Sequence, residues 1–165
     1  MKKVLILIAA VFVSAHCAAQ RQLLFPFQGG KDQMVRFFKD SLVVSPEIMQ
    51  KKAIGTAVFK FTADEEGAIS KIVAYYADDY VLVAPVVDAL RKSNHKWVIP
   101  PVERHHDFII SFVFNFNVPA SDNPDLQKIV YDNYRTHNAI TATDQIPLNE
   151  ATLLPPVMVT YDILQ

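Results

Sequence analysis

Hydrophobic and polar positions change period several times along this chain, and each change marks an element. Between Lys31 and Leu42 the apolar residues Met34, Val35, Phe37, Phe38 and Leu42 fall at helical spacings, which predicts a helix with one apolar face. Gly29-Gly30 just before it favours a turn, because glycine tolerates positive φ. Pro46 and Glu47 predict a second, short helix: proline suits a first turn, and a carboxylate suits its positive end. Ala57, Phe59 and Phe61 then alternate with Val58, Lys60 and Thr62, the period of a half-buried strand. Asp64-Glu65-Glu66-Gly67 reads as a turn and Ile69 to Tyr76 as the returning strand.

Asp78 or Asp79 is placed to cap a helix over Val81 to Ser93, with Val83, Val86, Val87 and Leu90 as its buried stripe. Pro85 lies early enough in that helix to be tolerated. Lys96-Trp97-Val98-Ile99-Pro100-Pro101 turns a corner. From Phe108 to Phe116 the residues Phe108, Ile110, Phe112, Phe114 and Phe116 share one strand face, and Ile109, Ser111, Val113 and Asn115 share the other. Each aromatic ring buries roughly 150–250 Å², so the phenylalanine face is expected to pack under a helix.

After Asn117 the pattern weakens. Leu126 to Tyr134 suggests a short helix, Thr136 to Glu150 a loop, and Leu153 to Leu164 has the prolines and β-branched residues of extended chain. The expected fold is therefore α+β. It has a small antiparallel three-stranded sheet with two to three helices packed on one face over residues 20–117, and a C-terminal extension over 118–165. The last core strand is expected to form an open edge whose unpaired backbone groups can accept another strand.

The first 19 residues stand apart from this fold. Lys2 and Lys3 precede an uncharged apolar run, Val4 to Val13, and Cys17-Ala18-Ala19 offers small residues for cleavage between Ala19 and Gln20. Ten apolar residues fall short of the about 20 that a membrane span needs, which favours a cleaved signal peptide over an anchor. A lipoprotein at Cys17 is less favoured, because the preceding His16 is large and polar. The mature chain is thus read as periplasmic or secreted. Without Lys2 and Lys3, 14 basic residues face 17 acidic ones, a formal charge of −3 that argues against nucleic acid. Cys17 is the one cysteine of the sequence, so the mature chain holds no disulfide and relies on packing.

Chemistry-bearing motifs are sparse. His105-His106-Asp107 invites a metal reading, yet neighbouring strand residues point to opposite faces, so a solvated strand start is the better account. Asp64-Glu65-Glu66 lacks calcium-loop spacing. His95 and His137 are isolated, and the sequence holds neither a nucleophile elbow nor a phosphate-binding glycine loop. Trp97 is read as core rather than as a stacking platform. No catalytic residue, cofactor or metal site is assigned, and a small enzyme or ligand carrier stands as the rival to a binding module.

Five short motifs, in order, resemble the periplasmic C-terminal domain of the TonB energy-transducer family. Phe27-Gln28-Gly29-Gly30 resembles its Phe-x-Gly-Gly entry, and Val44-Ser45-Pro46-Glu47 its Tyr-Pro-Glu step into the second helix. Ile54-Gly55-Thr56-Ala57-Val58 is similar to its Gln-Gly-x-Val strand start, Glu66-Gly67-Ala68-Ile69 to its turn glycine and isoleucine, and Lys96-Trp97 to its Lys-Trp step before the last strand. The likeness covers about residues 25–117. Val98-Ile99-Pro100-Pro101 replaces the family's Pro-Gly after Lys-Trp, and Val83-Ala84-Pro85 replaces its Leu-Asp helix start. No proline-rich linker stands between residues 20 and 25, and at about 3.1 Å per residue that segment cannot cross a periplasm.

The resemblance implies peptide binding by strand addition on Phe108, Ile109, Ile110, Ser111, Phe112, Val113 and Phe114, without proton-coupled work by this chain alone. The implied partner is an envelope protein or peptide, such as an outer-membrane receptor segment, with a homodimer through the sheet edge as a further option. Val157-Met158-Val159-Thr160-Tyr161 resembles the extended peptide that receptors present to this fold. The sequence therefore raises the idea that this segment docks on its own domain's edge, against the plainer reading of an ordinary terminal strand or tail.

Overall fold

β1 (Gly55–Asp64) and β2 (Ile69–Ala77) form an antiparallel hairpin in the computed structural model, which describes residues 25–117, 128, 132, 138–143 and 150–162. The expected leader over 1–19 lies outside the described residues. So does most of the short helix expected over 126–134, of which Lys128 and Asp132 are described, both helical and exposed. β3 (His105–Phe116) pairs antiparallel with the whole of β1, from Gly55 opposite Phe114 to Asp64 opposite His105. These three strands and their order match the pattern of alternation in the sequence.

The extension enlarges that sheet. β4 (Ile140–Thr141) pairs antiparallel with the end of β2, while β5 (Thr152–Leu153) and β6 (Val157–Tyr161) both pair parallel to β3. The result is a mixed six-stranded sheet in the order β4-β2-β1-β3-β5, with β6 further along the same edge of β3. The expected three-stranded antiparallel sheet is thus corrected in both size and character. Strands of two residues carry no readable period, and a parallel strand is joined by a long connection that leaves no hairpin signal.

Among the described residues, α1 (Gly30–Ser41), α2 (Pro46–Lys51) and α3 (Val83–Lys92) accompany the sheet. Ser45 caps α2 by accepting the Ile48 N–H at 3.3 Å, and Pro46 occupies its first position. The helix expected from Val81 begins as a 3₁₀ turn over Tyr80–Leu82, capped by Asp79, and becomes α-helical at Val83. This places Pro85 in the first turn of α3, where its missing N–H leaves no bond unmade. On α3 the buried positions are Pro85, Val86, Ala89 and Leu90, whereas Val83 and Val87 are only partly covered.

One hydrophobic core joins the helices to the phenylalanine face. The Phe38 ring of α1 stands edge-on to Phe112 at 5.3 Å, and Trp97 packs against Phe27, Phe61 and Phe108. Trp97 is core, with its indole N–H donated to Ser93 Oγ at 3.0 Å. Gly67 closes the β1–β2 turn at φ +74°, and an added Cβ would collide with the Trp97 backbone carbonyl, so the turn and the corner share one tight contact. Lys60 departs from the alternation: it lies on the other sheet face yet is buried, in an ion pair with Asp107 at 2.8 Å. No helix among the described residues is long and apolar enough to cross a membrane.

Candidate functional site

The expected open edge at Phe108, Ile109, Ile110, Ser111, Phe112, Val113 and Phe114 is not open. β5 lies beside Phe108 and Ile109, and β6 runs beside Phe112 to Phe116. Phe108, Ile110, Phe112 and Phe114 are buried on the helix side, while Ile109, Ser111 and Val113 line the opposite face of the sheet. The open-edge expectation fails because the chain supplies its own covering strands from more than 35 residues downstream in β5 and β6.

Val157, Met158, Val159, Thr160 and Tyr161 form β6, in register from Phe112 opposite Val157 to Phe116 opposite Tyr161. Their alternation explains the docking: Val157, Val159 and Tyr161 are buried, whereas Met158 and Thr160 face out. The same two-residue period sets the backbone. The Asn117 N–H donates to the Tyr161 carbonyl at 2.9 Å and the Leu154 N–H to the Ile109 carbonyl at 2.8 Å, so odd-numbered β3 residues turn their backbone groups toward the extension.

Side chains fasten the two ends of this seam. Tyr161 reaches under the sheet and donates its hydroxyl to the Ala53 carbonyl at 2.7 Å, and burial pushes its hydroxyl pKa up to about 12. Asn117 Nδ2 donates to Asp162 Oδ1 at 2.6 Å. At the other end the His106 ring stands between Glu103 Oε2, at 2.6 Å, and Thr152 Oγ1, at 2.7 Å. One ring thus ties the start of β3 to β5. The adjacent residues His105 and His106 both line one cleft beside the start of β3.

The extension is anchored a third time where it passes β2. Asp79, buried, accepts the Val81 N–H at 3.2 Å and the Asn138 N–H at 3.3 Å and is paired with Lys51, while the Tyr80 N–H donates to the Asn138 carbonyl at 3.1 Å. Sequence reasoning missed this anchor and the His106 clasp. Asp79 was legible as a cap, but its bond to a residue 59 positions away was not.

A cleft of about 460 Å³ opens beside the start of β3, lined by Thr62, Lys71, Glu103, His105 and Asp107 among others. Burial raises the Asp107 carboxyl, but hydrogen bonds from Lys60 and Thr62 and the Lys60 charge outweigh it and hold it below the usual carboxylate range. That carboxylate is committed to Lys60 and to the Thr62 hydroxyl at 2.6 Å. In this cleft Asp107 is thus held by Lys60 and Thr62, and Glu103 by His106. Among the described residues no group of three or more His, Cys, Asp or Glu side chains is placed to hold a metal ion. Comparison with protein-family models, characterised proteins and solved structures finds no match to this chain.

Proposed function

We propose that this chain is an exported, non-catalytic protein-binding module that takes an extended peptide by strand addition at β3, with segment 157–161 as its resident, displaceable occupant. The observation that carries this reading is the docking of β6: a five-residue strand from the far end of the chain adds parallel to β3 and fills three inward positions. A short strand held by a backbone ladder and alternate side chains is the geometry of peptide recognition by sheet extension. Tethering gives such a segment an effective concentration that can reach the millimolar range, so even weak docking keeps the edge covered until a better strand arrives. The partner would be an envelope protein or peptide of similar alternation, and a second copy of this chain whose own β6 is released is an acceptable occupant. The resemblance to the TonB C-terminal domain points to the same edge. The reading gives this chain no proton-coupled work of its own.

A disulfide lock tests it. Asn115 and Thr160 are register partners on exposed faces of adjacent strands, which lie about 4.8 Å apart, within the reach of a disulfide. In the mature chain an Asn115→Cys/Thr160→Cys pair would be the sole thiols. Binding of a labelled peptide of residues 155–163 is then measured with and without reductant. The reduced form should bind and the oxidised form should not, and a chain ending at Pro147 should bind most tightly or self-associate. Equal binding by the oxidised and reduced forms overturns the proposal.

A further inference from the structure

The opposite edge of the sheet is built differently. β4 covers only Tyr76 and Ala77 of β2, and its cover ends where the Ala142 N–H reaches the Tyr75 carbonyl at 2.9 Å. Among the described residues no strand pairs with the outer side of Ile69–Ala74. The ladder determines which groups face outward there. Ile109 turns its backbone away from β1 to Leu154, so alternation directs Lys60 and Thr62 toward their β2 partners Val73 and Lys71. Ile72 and Ala74 consequently present N–H and C=O groups away from the sheet. At the near end an outside acceptor already serves this edge: Asn94 Oδ1, just beyond α3, takes the Ile69 N–H at 2.7 Å.

A groove of about 380 Å³ runs between this edge and α3. Ile69, Ile72 and Val87 give it apolar walls, and Lys71 and Arg91 stand at its margins. Arg91 is exposed, and its neighbour Asp88 meets it at 3.6 Å in an exposed pair that contributes little stability and is easily exchanged for another carboxylate. An edge strand beside a helix is a recurring peptide-reading arrangement: main-chain bonds give affinity and the helix side reads alternate side chains.

We infer that this groove is a second peptide site, which takes an extended acidic segment of a partner protein as an added strand on Ile72–Ala74. Successive side chains of an added strand point to opposite faces. Those directed toward α3 meet Val87, Ile72 and the Arg91 guanidinium, and those directed the other way meet Lys71. In an alternation of apolar residues and carboxylates the apolar residues meet Val87 and Ile72 while the carboxylates meet Lys71, with Arg91 at the groove margin adding to the attraction, whereas a basic segment would face two cations.

The probe is a fluorescein-labelled hexapeptide, Glu-Val-Glu-Val-Glu-Val, titrated onto the full mature chain, with Lys-Val-Lys-Val-Lys-Val as control. The expected result is saturable binding that weakens as salt rises, with new hydrogen-exchange protection at the Ile72 and Ala74 amides. Lys71→Glu and Arg91→Glu, both at exposed side chains, should each weaken binding by about threefold to tenfold. The oxidised Asn115→Cys/Thr160→Cys chain should bind equally well, which separates this site from β3. No saturable binding, equal affinity for the basic control, indifference to both charge reversals, or loss of binding in the oxidised chain would each overturn the inference.

Discussion

Replacing Tyr161 with phenylalanine removes one oxygen atom from the seam between β6 and the core while keeping the ring that meets Phe116. The lost group is the hydroxyl that donates to the Ala53 carbonyl at 2.7 Å, within a buried contact. A hydrogen bond of this kind contributes about 1 kcal/mol net, but removing one partner leaves a buried carbonyl unpaired, so Tyr161→Phe should cost about 1–3 kcal/mol at pH 8. The effect must also depend on pH. The docked hydroxyl has its pKa raised from 10.0 to about 12, so the docked state holds its proton more tightly than the released one. Stabilisation is then fully present below pH 10 and is lost as pH climbs toward 12, amounting to about 1 kcal/mol at pH 11. Tyr76 and Tyr80 also have raised values, through bonds to Asp78 and Glu47, and contribute alkaline sensitivity to both chains. The difference between wild type and Tyr161→Phe therefore isolates Tyr161. Urea unfolding at pH 8 and pH 11 should show a deficit that shrinks with alkali. A deficit under about 0.3 kcal/mol at pH 8, or one of constant size at both pH values, would refute the reasoning.

Gly67→Ala should cost about 2 kcal/mol or more in urea unfolding, because φ is +74° and the new Cβ strikes the Trp97 backbone carbonyl rather than a movable side chain. Trp97→Ala should cost about 3–5 kcal/mol, since the ring fills the space between Phe27, Phe61 and Phe108, and thermal unfolding would measure it. Asp107 has a lowered carboxyl pKa, so its pairing with Lys60 supplies stability above the ordinary carboxylate range that is lost as pH falls through the depressed value. Asp107→Asn should flatten the acid limb of a stability-against-pH curve relative to wild type while lowering stability at neutral pH, and an unchanged acid limb would contradict the assignment.

The parts of this fold that were legible in the sequence are those with a long period and a local cause. The five alternating core residues from Phe108 to Phe116, the Ser45-Pro46 helix start and the Gly67 turn each declare their structure within a few residues. The phenylalanine face also dictated which side the helices cover. The edge of β3 was misjudged because its state depends on a segment whose placement is set by tertiary pairing. Val157, Val159 and Tyr161 carry a two-residue period, but five residues cannot announce which edge they will join or in which direction. Lys60 was hidden for a similar reason: alternation placed it on the polar side, and only its partner Asp107, 47 positions on, explains how an ammonium is held there under cover. The Asp79–Asn138 and His106–Thr152 bonds are likewise long-range, and no pattern within either segment encodes them.

Native-state hydrogen exchange along β3 tests most directly whether β6 is a displaceable occupant. The amides of Val113, Asn115 and Asn117 face β6, whereas those of Phe112 and Phe114 face β1. If β6 can leave while the domain stays folded, the first group must exchange through an opening of lower free energy than the second. The account predicts that split, widened for the Val113, Asn115 and Asn117 amides by Tyr161→Phe and abolished by the oxidised Asn115→Cys/Thr160→Cys lock. Equal protection of both groups at the free energy of global unfolding would show β6 to be an inseparable part of the sheet and would contradict the proposed strand exchange.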